Sequence, residues 1–156
     1  MTDLYELPGH LIRRMHQIAV SIFAARMAEG GFDLTPVQFA ALSVVADRPG
    51  IDQATLAGLI AHDRVTIGGV VDRLETKGLL SRTISQQDRR ARVLEVTADG
   101  EALLRQIIPA VHEAQEGMLA GLSETERRTF TRLLRKATEA GNSLSRAPLR
   151  DERAAN

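Results

Sequence analysis

Cysteine is absent from the 156 residues, which excludes disulfides, thiolate metal sites, thiol nucleophiles and cysteine redox sensing. Long apolar runs are missing too. The two longest, Ile18–Ala25 and Phe39–Ala46, hold eight residues each, one of them a serine, against the roughly twenty that a helix needs to cross a bilayer. The first residues, Met-Thr-Asp-Leu-Tyr-Glu, show no basic stretch followed by an apolar one. No signal peptide is read there, and a cytoplasmic protein without a membrane partner is the expectation. Net charge is also lacking, since 20 Lys and Arg balance 20 Asp and Glu. That excludes polybasic chains that neutralise nucleic acid with their whole surface, but not a small basic face offset elsewhere. Lysine is scarce: all cations except Lys77 and Lys136 are arginines.

What is present is mostly helical period. From Pro8 to Met27, apolar residues at Leu11, Ile12, Met15, Ile18, Ala19, Ile22 and Phe23 make one wide face, and Gly30-Gly31 ends the run. A second helix is announced by Thr35 as cap, Pro36 at the first position and Gln38 where a capping-box partner belongs. Its expected buried stripe is Val37, Ala40, Ala41, Val44 and Val45, and Pro49-Gly50 stops it. A short helix capped by Asp52 packs through Ala54, Leu56, Ala57 and Ile60. The next is capped by Asp63, with Val65, Val70, Val71 and Leu74 expected inward and Gly78 closing it. The period then changes. Leu79–Ile84 and Arg92–Thr97 are short, β-branched-rich runs joined by the polar turn Ser-Gln-Gln-Asp-Arg-Arg, the pattern of a two-stranded hairpin with an arginine-bearing tip. A long helix follows through Leu103, Leu104, Ile107, Ile108, Val111, Ala114, Met118 and Leu119, with Pro109 inside it as an expected kink. Ser123-Glu-Thr-Glu126 is a capping box for the last helix, whose stripe is Phe130, Leu133, Leu134 and Ala137. From about Asn142 the composition turns polar and reads as a loose tail.

The fold class is therefore mainly α with a small β-hairpin wing. Two short helices, a tight link and a hairpin form a winged helix-turn-helix, in which the second helix lies in the major groove and the hairpin tip reaches the minor groove. Residues 53–97 carry seven Lys and Arg against five Asp and Glu, while residues 1–52 carry four against six, so zero net charge hides a positive middle. The organisation expected is a dimerisation and ligand-pocket helix over 1–34, the DNA-binding lobe over 35–98, dimerisation helices over 99–141 and a flexible tail over 142–156, all within one compact domain. The long helices at both ends are more apolar than so small a lobe can cover. Pairing with a second copy buries them and presents two recognition helices to a palindromic double-stranded site.

Two phrases carry a more specific resemblance. Leu56-Ala57…Ile60 followed by Val70-Val71-Asp72-Arg73-Leu74-Glu75-Thr76-Lys77-Gly78-Leu79-Leu80-Ser81-Arg82, and the wing phrase Asp88-Arg89-Arg90-Ala-Arg-Val-Leu-Glu-Val-Thr97-Ala-Asp-Gly100, resemble the MarR family of transcription regulators over residues 8–141. The resemblance implies a triangular dimer that represses neighbouring genes and leaves DNA when a small, often phenolic or aromatic, ligand binds. Pro8–Ile18 and His62–Val70 further resemble the branch that controls aromatic-acid and N-heteroaromatic-acid catabolism, with hydroxybenzoates and hydroxylated nicotinates as expected effectors.

Arg64, Val65 and Thr66 open the proposed recognition helix and are candidate DNA contacts, because an arginine there bonds guanine bidentately. Gly68 and Gly69 are costly in a helix interior; they serve either close approach of the backbone to base edges or thymine methyls, or tight packing on a neighbouring helix. Arg73 meets a phosphate or a wing carboxylate, and Asp72 pairs with a wing arginine to set the wing angle, or both are ordinary surface charges. Arg89 and Arg90 are the minor-groove candidates, since a narrow A·T-rich groove attracts inserted arginine. The resemblance implies that Asp88 orients the tip, and which arginine inserts stays open. Arg92 is a backbone contact or plain surface. His10, Arg13, Arg14 and His16 share the first helix, near where the family holds its ligand; arginine suits a carboxylate and histidine a ring hydroxyl. Gln38 is a further candidate.

No metal or cofactor is expected, because the four histidines form neither an i,i+4 pair nor a His-Glu-x-x-His pattern. Nor is an enzyme: there is no glycine-rich phosphate loop and no Gly-x-Ser-x-Gly. The competing class is a dimeric winged helix that binds protein rather than DNA, which loss of the wing arginines would mark.

Overall fold

A computed structural model of the chain describes residues 3–89 and 92–150. Six helices are present among them: α1 (Pro8–Glu29), α2 (Pro36–Asp47), α3 (Gln53–Leu59), α4 (Arg64–Thr76), α5 (Ala98–Met118) and α6 (Glu124–Ala140). Three strands, β1 (Ile51–Asp52), β2 (Leu80–Ile84) and β3 (Arg92–Val96), form an antiparallel sheet in the order β1-β3-β2. Two compact units divide the chain, one made of Met1–Pro36 with Ile107–Thr129, the other of Val37–Gln106 with Phe130–Asn156.

In the first unit, α1 buries only Phe23 and Met27, and the second half of α5 buries Ile107, Val111 and Ala114. Arg26 reaches Glu113 at 4.0 Å and bonds Glu29 at 2.7 Å. Leu11, Ile12 and Ile18 stay exposed. Pro109 lies inside an unbroken α5, two residues beyond the point where the units divide. The capping box closes as the residues dictate: the Ser123 amide and hydroxyl both donate to Glu126 Oε2 at 2.8 Å.

The second unit holds the denser core. Leu42, Leu56, Ile67, Leu74, Leu80 and Leu94 are all fully buried. The expected two-stranded hairpin is a three-stranded sheet, because Ile51 and Asp52 pair with Leu94 and Val93. Gly50, at φ +85°, turns the chain into β1 and donates to Leu94 at 2.9 Å. The hairpin itself pairs Leu80 with Val96 through to Ile84 with Arg92.

Several buried faces are rotated from the sequence expectation. In α2, Gln38, Ala41, Leu42 and Val45 are buried, while Val37, Ala40 and Val44 are only half-buried. That helix is apolar nearly all round, so period alone does not choose its inner side. In α3, Leu59 is buried where Ala54 was expected. In α4, Ile67, Val70, Val71 and Leu74 form the inward i, i+3, i+4, i+7 stripe, and Val65, expected inward, is 88% exposed. It precedes Ile67 by two residues, which places it on the opposite side of the helix.

Three helices end in the same way. After α1, α3 and α4, a residue in the left-handed region receives the chain, and two amides turn back onto the last carbonyls. For α4 these are Gly78 (φ +71°), whose amide donates to Glu75, and Leu79, whose amide donates to Leu74. For α1 they are Gly31 and Phe32. For α3 the left-handed residue is Ala61 (φ +52°), with His62 donating to Ala57 at 3.0 Å, so the turn before α4 is held despite the cost of a Cβ there. Residues 142–150 depart from the loose tail expected of them. The Asn142 side chain donates from Nδ2 to Leu149 O at 2.9 Å and accepts at Oδ1 from Leu149 N at 2.8 Å, and Arg150 N donates to Gly58 O at 2.8 Å. A backbone hydrogen bond, which composition does not register, ties this segment to α3.

Candidate nucleic-acid interface

The second unit positions α4 by its two ends. At the start, Asp63 Oδ1 accepts from Thr66 N at 2.8 Å and Oδ2 from the Thr66 hydroxyl at 2.6 Å. These bonds, the hydroxyl's foremost, hold the Asp63 carboxyl below its usual range. Asp52 caps α3 in the same manner, accepting from Thr55 N at 2.7 Å, and its carboxyl is lowered chiefly by that amide, with a further contribution from the Arg64 charge. At the far end, Thr97 fastens α4 to the wing and to α5. Its hydroxyl donates to Gly78 O at 2.6 Å, its amide donates to Leu79 O at 3.1 Å, and its Oγ1 accepts from Gly100 N at 3.1 Å.

The outer face of α4 carries Arg64, Val65, Thr66, Asp72 and Arg73, all exposed, with Gly68 and Gly69 half-exposed between them. The Thr66 hydroxyl proton is already committed to Asp63, so this residue serves the cap and offers a partner only its oxygen and methyl. Gly68 faces Gln53 of α3: an added Cβ would lie 3.3 Å from Gln53 Nε2 and near nothing else. At Gly69 an added Cβ would meet only Arg73 Nη1, at 3.9 Å.

The wing arginine that Asp72 meets is Arg82, on β2, a residue sequence reasoning passed over. Arg82 Nη2 lies 2.5 Å from Asp72 Oδ1 and 2.6 Å from Glu75 Oε2, and Nε donates to the same Glu75 oxygen at 3.0 Å. One guanidinium thus joins two carboxylates a turn apart on α4 to the first wing strand. The bonds from Arg82 lower Glu75, and the Arg82 guanidinium is raised by Glu75 first and Asp72 second. The available signal was the Asp72–Glu75 spacing on one helix face, followed by an arginine just past the Gly78 turn. At the wing tip, Ser85 is buried and its Oγ accepts from the amides of Gln87 and Asp88, each at 3.2 Å. This turn carries Asp88 and Arg89 outward, and Arg89 and the strand residue Arg92 are both exposed. Arg90 lies outside the described residues.

The ligand candidates fall on both units. His10, Arg13, Arg14 and His16 lie on α1, whereas Gln38 is buried on α2. Arg13 donates to Gln17 Oε1 at 2.9 Å along the exposed side of α1. His10 differs from its neighbours. Its Nε2 is buried without a hydrogen-bond partner among the described residues, and its ring stands edge-on to Tyr5 with centroids 5.7 Å apart. No cluster of three or more metal-ligating side chains occurs among the described residues, and no helix there is long and apolar enough to cross a membrane.

A family model described as the MarR family matches residues 32–91. Over 138 residues the chain is 33% identical to the HTH-type transcriptional repressor NicR of Pseudomonas putida, spanning 88% of this chain and 86% of that protein. The chain belongs to the MarR family. It is a winged-helix transcription regulator of that family. Among solved MarR-like structures, it matches BpsR of Bordetella bronchiseptica at a TM-score of 0.82 and 30% identity, over 88% of this chain and 97% of the other. That structure concerns regulation of BpsR's DNA binding by 6-hydroxynicotinic acid. The repressor CouR, solved bound to a 23-mer DNA duplex, matches at a TM-score of 0.79 and 30% identity, over 90% and 96% of the two chains. The MarR-family fold and the helix-turn-helix order read from the sequence agree with these structures.

Proposed function

We propose that this chain is a cytoplasmic, homodimeric transcriptional repressor without catalytic activity, which occupies a palindromic duplex operator and leaves it when a small aromatic carboxylate binds. The observation that carries the reading is the α4–wing assembly. A capped helix with an outward face of Arg64, Val65, Thr66 and Arg73 is joined through Arg82 to a wing whose turn carries Arg89 outward. Arg64 reads a base edge or phosphate, Arg73 and Arg92 take phosphates, and Arg89 with Arg90 supplies the minor-groove contact, Asp88 orienting the tip. The exposed leucines of α6 and the apolar side of α1 close against a second copy, which spaces two α4 helices about one duplex turn apart. The effector class follows from BpsR, whose DNA binding is regulated by 6-hydroxynicotinic acid, and His10, Arg13, Arg14 and His16 on α1 are its contacts. Arginine takes the carboxylate and the unpartnered His10 nitrogen a ring hydroxyl. Release requires the effector to bind one spacing of the α4 pair better than the other.

The test begins by selecting an operator from randomised duplexes, then follows binding by fluorescence anisotropy with added 4-hydroxybenzoate or 6-hydroxynicotinate. Release of the selected duplex by one of these acids is expected, and Arg14→Ala should keep DNA binding while losing the response. Enrichment of no sequence would overturn the repressor reading. Unchanged release from Arg14→Ala would remove the α1 contacts from it.

A further inference from the structure

We propose that Val65 sets operator sequence by packing on a thymine methyl group, and that Gly68 and Gly69 are the notch that lets α4 seat deeply enough for it to do so. The proposal rests on α4 being the recognition helix. Val65 is 88% exposed in the first turn of α4, a β-branched apolar side chain aimed away from its own core. Gly68 and Gly69 follow it by one helical turn, so the three share a face. Neither glycine answers a need of the fold. Both have helical backbone, and the positive-φ glycines are Gly31, Gly50 and Gly78. Neither meets a fixed neighbour: a Cβ at Gly68 would press only on the movable end of Gln53, at 3.3 Å, which must give by a few tenths of an ångström, and one at Gly69 would make ordinary contact with the end of Arg73. Gly100 shows what a packing glycine looks like in this molecule, since a Cβ there would collide with the Leu79 carbonyl oxygen.

Two adjacent helix-weakening residues with room for a side chain, placed on the outward face, therefore favour close approach of another surface over internal packing. In the major groove, thymine alone presents a methyl group, and apolar side chains such as this one read it. With the α4 backbone lowered by the missing side chains, Val65 reaches that methyl while Arg64 beside it reaches a base edge or a phosphate.

The experiment uses the full chain and its selected duplex, with a scrambled duplex of equal length as control. Each thymine is replaced in turn by deoxyuridine, which removes the methyl alone. One methyl buried per half-site is worth about fourfold in affinity, and about fifteenfold for both halves of a palindrome. We expect one symmetric pair of thymines to show that loss in the native protein and none in Val65→Ala. In the Gly68→Ala/Gly69→Ala variant, the melting temperature should rise while affinity for the selected duplex falls tenfold or more, with affinity for the scrambled duplex unchanged. A native-strength selected complex from the glycine variant, or deoxyuridine losses equal in native and Val65→Ala proteins, would overturn the proposal. A native protein that never distinguishes selected from scrambled duplex would overturn the underlying assignment of α4 as well.

Discussion

The winged-helix lobe and the long helices use apolar residues in opposite ways. In the lobe, Leu42, Leu56, Ile67, Leu74, Leu80 and Leu94 are wholly withdrawn from solvent. On α6, the best-formed apolar stripe in the sequence buries none of its residues, and Leu133 and Leu134 are 50% and 44% exposed. Amphipathic pattern marks a face that must be covered but not the chain that covers it. On the pairing proposed above, a substitution that breaks the lobe acts within one chain, whereas one that breaks α6 acts between chains.

The largest effect is expected at Gly100. A Cβ there meets the Leu79 carbonyl oxygen and lies 2.7 Å from Val96 Cγ1, and backbone cannot rotate away as a side-chain end can. Gly100→Ala should destabilise the lobe by about 3 kcal/mol, seen as a lowered urea midpoint and lost DNA binding. The same exchange at Gly69, where space is open, should stabilise by about 1 kcal/mol. Equal effects at the two positions would erase the distinction between packing and functional glycines.

Next in size is the pair Leu133→Glu/Leu134→Glu. Because these side chains are exposed within one chain, the variant should keep its circular dichroism spectrum yet sediment with the mass of one chain. Half-site affinity should survive and cooperative binding to a palindrome should be lost. A variant that unfolds outright would mean that α6 contributes to a core within the chain.

How much of this could be read beforehand follows the distance over which each signal acts. The caps at Asp52, Asp63 and Ser123–Glu126 and the turn at Gly78 were legible because partner and signal lie within a few residues. Strand β1 was not: two residues carry no period, and Ile51–Asp52 becomes a strand only because β3 offers an edge. The apolar character of Val65 points inward, yet Ile67, two residues on, takes the buried position. Arg82 was overlooked because its partners lie ten and seven residues back on another element. The docking of Arg150 on Gly58 involves backbone groups, to which side-chain composition is blind.

Arg82 tests the lobe more gently. Its two carboxylate partners are solvent-accessible, so Arg82→Ala should lower the melting temperature only slightly. Its link from α4 to β2 should matter more for geometry: DNA affinity should fall about tenfold, the magnitude of a lost positioning contact of roughly 1.4 kcal/mol. The salt dependence should stay near native, since Arg82 is paired within the protein and releases no counterion from DNA. A salt slope that falls by about one contact per subunit would instead make Arg82 a direct phosphate ligand.

The smallest effect is the acid response of the caps. Asp63 accepts from the Thr66 hydroxyl and amide, and Asp52 from the Thr55 amide, so both carboxyls sit below their usual range in the folded protein. A carboxyl lowered by folding contributes stability above its unfolded value of about 3.9 and loses it as pH falls through the folded value. The lobe should therefore hold its melting temperature from pH 7 to about pH 5 and weaken progressively below about pH 4. The variant Asp63→Asn keeps an oxygen acceptor for the Thr66 amide and does not titrate. It should start close to native stability at pH 7 and decline less steeply between about pH 4 and pH 2, whereas Leu133→Glu/Leu134→Glu should leave this part of the lobe's profile unmoved. An unchanged acid slope in Asp63→Asn would place the acid sensitivity of the lobe elsewhere than in its helix caps.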